Sequence, residues 1–445
     1  MNTPIADFVR QYAASDTARL HMPGHKGRAF LGCEPFDITE ISGADSLYEA
    51  DGIIARSEEN ATALYGSART LFSTEGSSQC IRAMLYLCLC ARKPGTKPVI
   101  VAGRNVHKAF VFACALLDFE IVWLWPRSMS SLCACEVAAE TLEKTLSFLD
   151  APPAAVYITS PDYLGGMADV AELAEICHRH GTLLAVDNAH GAYLRFLSPS
   201  LHPMDLGADV CCDSAHKTLG VLTGGAYLHI SQCAPSAMIA QAKQAMALFG
   251  STSPSYLILT SLDLCNAELA GDYPRRLADM AARMDALKRR LTENGWRILP
   301  SDPLKLTIDA CCAGTTGISL GQRLREHRLE CEFADSETLV LMLTPENTPE
   351  DLIRLEAALG KNETAARDWP ILPAAKGKRA MSVREAMFAP HETIPVSEAL
   401  GRICGAPTVA CPPAIPIAVS GEVISAEAIA LFEHYGVNEV DVVIG

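Results

Sequence analysis

From Pro98 onward the chain alternates short, nearly continuous apolar runs with helical stretches, and this alternation restricts the fold more than any other feature. Val99–Ala102, Ile121–Trp125, Ala155–Thr159, Leu183–Asp187 and Asp209–Cys212 read as strands. Helices are expected over Val106–Leu117, Glu136–Leu149 and Ala168–His180. A strand that is apolar at nearly every position has to be buried on both faces, which a mostly parallel sheet flanked by helices achieves. The fold class is therefore α/β. Ligand groups in such sheets collect beyond the carboxyl ends of the strands. There the polar residues gather: Arg104–His107, Ser160–Tyr163, Asp187–His190 and Ser214–Lys217.

The texture changes after Ser255–Arg290, which reads as one or two long helices. Trp296–Leu299, Lys305–Ile308, Glu330–Phe333 and Leu339–Leu343 are expected as short strands, with helices near Leu320–His327 and Pro349–Leu359. That pattern predicts a smaller α+β domain. A Pro-, Ala- and Lys-rich linker, Asp368–Lys378, precedes a C-terminal segment containing Cys411–Pro416. The expected organisation is an N-terminal arm over 1–60, a large domain over 61–270, a small domain over 271–370, and a C-terminal segment, 371–445, packing with the small domain.

A chain of 445 residues, 49% hydrophobic and 20% charged, has the composition of an ordinary globular protein large enough for two unequal domains. The longest apolar runs, Ile81–Cys90 and Ala109–Leu117, are too short to span a bilayer. Met1–Arg10 lacks the apolar core of a secretory signal, so a cytoplasmic protein is expected. A formal charge of −15 disfavours nucleic acid and anionic lipid as partners and agrees with a cationic small molecule. Eight of the 17 cysteines fall in C-x-C or adjacent pairs, without the C-x-x-C knuckles and matching histidines of a zinc site. They are read as reduced core thiols, and no metal is expected.

Four stretches carry chemistry. Cys212-Asp213-Ser214-Ala215-His216-Lys217-Thr218 follows a buried strand. A lysine at the mouth of an apolar sheet is costly if charged, and a Schiff base with an aldehyde cofactor removes that cost. The alternative is a lysine reaching to solvent from a strand end. Asp187, in Ala185-Val186-Asp187-Asn188-Ala189-His190-Gly191, ends another buried strand thirty residues before Lys217. Its carboxylate can keep a pyridine nitrogen protonated, or cap the next helix. Phe72-Ser73-Thr74-Glu75-Gly76-Ser77-Ser78-Gln79 opens the helical stretch Cys80–Ala91, where backbone N–H groups can cradle a phosphate. Serines there also serve as ordinary N-caps. His107, in Gly103-Arg104-Asn105-Val106-His107-Lys108, can lie flat on a cofactor ring or hydrogen-bond near a helix start.

In this order the four stretches resemble the large domain of fold-type I pyridoxal-phosphate enzymes. Within that group the chain is similar to the short bacterial ornithine/lysine/arginine decarboxylases. The motifs that carry this are His21-Met22-Pro23-Gly24-His25-Lys26-Gly27, Asp37–Leu47, Ser382-Val383-Arg384-Glu385-Ala386, Gly401-Arg402-Ile403 and the Pro-rich run ending near Gly421-Glu422. The resemblance implies pyridoxal 5'-phosphate joined to Lys217, Asp187 on the pyridine nitrogen and His107 stacked on the ring. Gly76, Ser77, Ser78, Ser214 and His216 would hold the phosphate or line that side, and His190 would position the cofactor or Asp187. The catalytic set is then Lys217, His216, Asp187 and His107, with Lys217 or His216 returning a proton to Cα. The implied reaction is decarboxylation of a basic L-amino acid in polyamine biosynthesis, arginine before lysine or ornithine, by a homodimer or higher homo-oligomer. Two residues depart from the family pattern. Asn188 stands where many relatives carry an acid, and Glu75 where an asparagine is frequent.

Three other readings stand beside this one. A cysteine desulfurase-like enzyme on the same fold would need a mobile nucleophile, for which Cys331 or Cys404 is available. An aminotransferase would use the same lysine and aspartate. A non-catalytic regulatory relative would have no need for Lys217, Asp187 and His107 together. Glu385, Glu392 and Asp45 are the candidate carboxylates for the distal cation of the substrate.

Overall fold

The computed structural model describes residues 1–92, 97–126, 131–134, 136–363, 372, 374–407 and 414–445. Cys135 and parts of the 368–378 linker and of the Cys411–Pro416 run lie outside them. Seven strands make the large, mostly parallel sheet: β1 (Arg69–Ser73), β2 (Val99–Gly103), β3 (Glu120–Leu124), β4 (Ala155–Thr159), β5 (Leu183–Asp187), β6 (Val210–Asp213) and β7 (Ala226–Ile230). All five expected strands are present, two of them with the expected bounds. The helices of this part are α1 (Pro4–Ala13), α2 (Ile53–Tyr65), α3 (Ser77–Ala91), α4 (Lys108–Leu117), α5 (Ala139–Ser147), α6 (Val170–Arg179), α7 (Ala215–Thr218), α8 (Ser236–Phe249) and α9 (Tyr256–Leu269). The chain divides into two compact units, Met1–Pro94 with Val170–Ala278, and Gly95–Asp169 with Asp279–Gly445.

In the first unit the strands are ordered β1-β7-β6-β5. β5 and β6 are parallel, with Asp187 opposite Cys212, so the segments following both strands leave from the same edge. β7 runs antiparallel to both β6 and β1. β1 and β7 go beyond the expected set because polar residues interrupt their apolar runs. Thr70 and His229 face each other in register, are fully buried, and share a 2.9 Å hydrogen bond. Polar groups that satisfy one another are compatible with a sheet interior, but nothing in either run alone announces it. α3 packs on β5, β6 and β7 and against α8, burying Cys80, Ile81, Met84, Leu85, Leu87 and Cys88.

Carboxylates also organise the N-terminal part of this unit. Asp263 on α9 accepts the N–H groups of Ile5 and Ala6, each at 2.9 Å, and so caps α1 from a distant part of the chain. Glu34 accepts the N–H groups of Phe30, Leu31 and Gly32. Desolvation opposes ionisation there, but these bonds outweigh it and hold the carboxyl down to about 2. Asp45, itself in the left-handed region at φ 75°, gathers the N–H groups of Ser46, Asp51, Gly52, Ile54 and Ala55 at the start of α2. Replacing Asp45 with Ala strands several of these donors and places Ala in a strained conformation. Limited proteolysis of residues 14–52 should then quicken by ~10-fold, for a local loss of about 1.4 kcal/mol or more. Parent-like cleavage would show that the clamp contributes nothing.

In the second unit β2 pairs in parallel with β3 and with β4. The helix α10 (Tyr273–Glu293) precedes a four-stranded antiparallel sheet of β8 (Ile298–Leu299), β9 (Lys305–Asp309), β10 (Phe333–Ala334) and β11 (Thr338–Met342), ordered β10-β11-β9-β8. Two helices, α11 (Gly317–Glu326) and α12 (Pro349–Leu359), accompany it. Thus Ser255–Arg290 holds two helices, and the expected strand at Glu330–Phe333 shifts to Phe333–Ala334. α12 starts where expected because Thr348 and Asp351 form a capping box with Pro349 at the first helical position. The C-terminal part adds α13 (Val383–Phe388), β12 (His391–Pro395), α14 (Ala426–His434) and β13 (Glu439–Val443), with β12 and β13 antiparallel. Its core is Val396, Cys404, Ile417, Ile424, Leu431, Phe432, Val440 and Val442. Among the described residues no helix is long and apolar enough to cross a membrane.

Candidate active site

The parallel pairing of β5 with β6 brings two short segments together. Asp187 closes β5, is 2% exposed, and accepts the N–H of Ala189 at 3.2 Å. Ser214, Ala215, His216 and Lys217 follow β6, the last three in α7. Lys217 Nζ lies 3.0 Å from His190 Nε2, which joins the two segments directly. The half-buried amine therefore does not simply reach to solvent from its strand end.

The third expected stretch meets the same place. Gly76 is the N-cap of α3 at φ 71° and contributes no side-chain cap to the first turn. A Cβ on Gly76 would meet no atom within 4 Å, so there is open space beside this helix start. The Ser214 hydroxyl donates to the Ser77 hydroxyl at 2.8 Å, tying the loop after β6 to the first turn of α3. Ser78 is the next residue of that turn. Glu75 accepts the N–H of Ser251, so this departure from the family pattern anchors the loop to the segment after α8.

Several supporting residues were given no role from sequence. Gln79 is buried; its Oε1 receives the Ser73 hydroxyl at 2.6 Å, and its Nε2 donates to Tyr48 Oη and to Met246 O, each at 2.8 Å. The Gly224–Gly225 turn reaches both halves of the site. Gly224 O accepts the N–H of Gly76 at 2.7 Å, and Gly225 O accepts His216 Nδ1–H at 2.9 Å. Gly224 is at φ 100°, and a Cβ there would come 2.9 Å from Thr74 O, so both backbone conformation and space demand glycine. Burial, opposed by the Gly225 bond and reinforced by Lys217, lowers the His216 pKa, leaving a neutral ring whose Nε2 is an acceptor.

His107 belongs to the second unit, where it follows β2 and caps α4, its Nδ1 accepting the Ala109 N–H at 3.1 Å. The helix-start reading of this histidine is thus seen directly. Its segment is braced by the C-terminal part of the same unit. Lys108 N–H donates to Ala414 O at 2.9 Å, and the Arg104 guanidinium donates to Pro416 O and Ile417 O at 2.8 and 2.9 Å. Arg104 also pairs with the buried Glu422 at 3.5 Å and lies near the Trp123 and Trp125 rings.

The three candidate substrate carboxylates are engaged elsewhere. Asp45 is the backbone clamp described above, Glu385 completes a capping box with Ser382, and Glu392 pairs with Arg402 at 2.6 Å. All described cysteines are free, and most are buried. Burial pushes the Cys404 thiol up to about 12 and raises that of Cys331, so neither is poised as the thiolate a desulfurase needs.

These groups fit pyridoxal phosphate. An uncapped helix start with two serine hydroxyls suits a phosphate. A buried carboxylate at a neighbouring strand end suits a pyridinium, and a half-buried lysine beside it suits an aldehyde carbon.

Comparison with known proteins agrees. The family described as Orn/Lys/Arg decarboxylase, major domain, matches residues 3–313. The chain is 30% identical over 462 residues to an arginine decarboxylase of Bacillus subtilis (strain 168), covering 96% of this chain and 92% of the relative. It is 30% identical over 466 residues to the arginine decarboxylase of Halalkalibacterium halodurans, with the same shares covered. The crystal structure of the Francisella novicida lysine decarboxylase LdcF has the same fold, with a TM-score of 0.81 at 17% identity over 99% of this chain and 81% of that one. The chain belongs to the Orn/Lys/Arg decarboxylase family, pyridoxal-phosphate-dependent amino-acid decarboxylases of fold-type I.

Proposed function

We propose that this decarboxylase acts on a basic L-amino acid, arginine first, releasing CO2 and the corresponding amine for polyamine synthesis. The observation that carries the site is the meeting of the β5 and β6 ends, where Lys217 Nζ contacts His190 Nε2 three residues beyond the buried Asp187. The arginine preference rests on the curated relatives named arginine decarboxylase. Bound pyridoxal phosphate supplies an electrophilic carbon for the substrate amine and an electron-withdrawing ring for the electron pair left by CO2.

The protein's own groups do the rest. Lys217 anchors the cofactor through its ε-nitrogen and then returns a proton to Cα. His216 is the poorer proton donor of the two, because its Nδ1–H is held by Gly225 and burial keeps the ring neutral. Asp187 keeps a proton on the pyridine nitrogen. Gly76, Ser77, Ser78 and Ser214, with His216 alongside, hold the phosphate. His190 aims the lysine amine, and the resemblance assigns His107 to the ring face. A homodimer in the cytoplasm is the simplest setting for a member of this family.

The test is a screen of the purified holoenzyme against arginine, lysine, ornithine and cysteine, following CO2, amine, alanine and sulfide. Agmatine is the expected product, at a kcat/KM above those for the other two. Cadaverine or putrescine instead would move the assignment within the family. Alanine with sulfide from cysteine would overturn it.

A further inference from the structure

Beneath the site lies a buried polar cluster that the reaction does not use. Asp213, the last residue of β6, is fully buried. One carboxylate oxygen accepts from His202 Nε2 and His229 Nε2, each at 3.1 Å; the other accepts from Asn188 Nδ2 at 2.7 Å. The donor atoms of His202, Cys211, Asp213 and His229 lie within 4.8 Å of one another, a spacing that invites a metal. The proton pattern argues otherwise. A metal-bound imidazole donates its second N–H outward. Here the Met204 N–H points at His202 Nδ1 at 3.3 Å, so that nitrogen accepts and Nε2 carries the proton. His229 Nδ1 lies 2.9 Å from the Thr70 hydroxyl, which can act as donor or acceptor, so the acceptor pattern is read at His202. The cluster is thus one carboxylate held by three donors.

We propose that Asp213 is a positioning residue of the decarboxylase, locking the segment that carries Asp187 and His190 to the segment that carries Lys217 through its bond to Asn188. Asn188 directly follows Asp187, donates its own N–H to Cys212 O at 3.0 Å, and accepts that of Gly191 at 2.8 Å. Four residues after Asp213 the chain reaches Lys217. One carboxylate therefore fixes two loops from below. The same contact accounts for an uncharged amide at position 188. A carboxylate at 188 would face another carboxylate at hydrogen-bond distance in a site with no exposure, and like charges that close cannot both ionise. In this chain the negative charge of the pair sits at 213 rather than at 188. Its surroundings hold it there. Desolvation opposes the charge, but His202 and His229 outweigh it and keep Asp213 ionised, while burial keeps His229 neutral. The protons of the neighbouring Tyr65, Tyr227, Cys211 and Cys212 are all retained by burial.

This inference rests on the proposed roles of Asp187 and Lys217, and its test separates the two. Asn188→Asp, Asp213→Asn and the exchange N188D/D213N are compared as holoenzymes by melting temperature at pH 6 and 8, cofactor absorbance against pH, and kcat and KM. Asn188→Asp should melt lower, more so at pH 8 than at pH 6, because acid neutralises one of the two carboxyls. Its kcat should drop by ~10-fold or more from misplaced groups, with KM changing less. The exchange keeps every hydrogen bond, because the amide oxygen it creates at 213 faces the histidines and the amide nitrogen faces the carboxylate it creates at 188. It should recover the cofactor's pH profile and part of the lost melting temperature and kcat relative to Asn188→Asp, the remainder reflecting a charge at 188 that lacks the two histidine donors. Failure of the exchange to rescue Asn188→Asp would overturn the proposal, as would stoichiometric zinc in the purified parent. If the stability coupling appears but no cofactor is found on Lys217, the decarboxylase reading fails while the carboxylate lock stands.

Discussion

Lys217→Ala is expected to yield a folded protein without the visible absorbance of a covalently held cofactor. Its turnover should fall by at least ~10²–10⁴-fold, the loss associated with removing a positioned proton donor, with loss of the covalent anchor added to that. The lysine is half-buried, and its bond at Nζ is to His190. Backbone contacts hold α7 independently of the side chain: Lys217 N–H to Ser214 O at 2.9 Å and Leu219 N–H to Ala215 O at 2.8 Å. Melting should therefore stay close to the parent value, and the lesion should be chemical. Borohydride reduction of the parent followed by peptide mapping should label the peptide containing Lys217, and the variant should take no label. A label on another lysine, or retention of the visible band in the variant, would remove the central assignment.

The second large effect is expected from Asp187→Asn, which changes one buried atom from oxygen to nitrogen. The side-chain carbonyl can still accept the Ala189 N–H, so shape and the β5 terminus are retained. What is lost is the negative charge at a position only 2% exposed, where an electrostatic interaction is screened little. Cofactor should still bind, because the helix start at Gly76–Ser78 and Lys217 are untouched. The kcat should fall by ~10²–10³-fold, comparable with removing one preorganised electrostatic group, and KM should move less. Turnover within a few-fold of the parent would contradict the role of Asp187 at the ring nitrogen.

Both predictions concern residues legible from sequence, for a common reason. A charged group ending an apolar strand stands out against its neighbours, and desolvation makes such a group costly unless it has a use. Lys217 and Asp187 stand out in this way, and the structure brings them together with the glycine-serine opening of α3. The supporting residues carried no such contrast. Gln79, Tyr48 and the Gly224–Gly225 turn look ordinary in one dimension, and their partners lie far away in the chain. Thr70 and His229 obscured two strands, because a polar residue inside a sheet is tolerated only when it has a partner, and here that partner arrives from a strand 159 residues distant.

The sequence by itself determined most of the periodic elements, the α/β class and the strand ends at which polar groups gather, since each follows from local spacing and from the cost of burying charge. Tertiary structure decided which groups brace which. It assigned Asp45, Glu385 and Glu392 to a backbone clamp, a capping box and a surface pair. It also placed Asp213 between two histidines and Asn188, making Asn188 one half of a matched pair. The reason is physical: hydrogen bonds and buried charges are settled between residues remote in sequence, and only the folded chain fixes those distances.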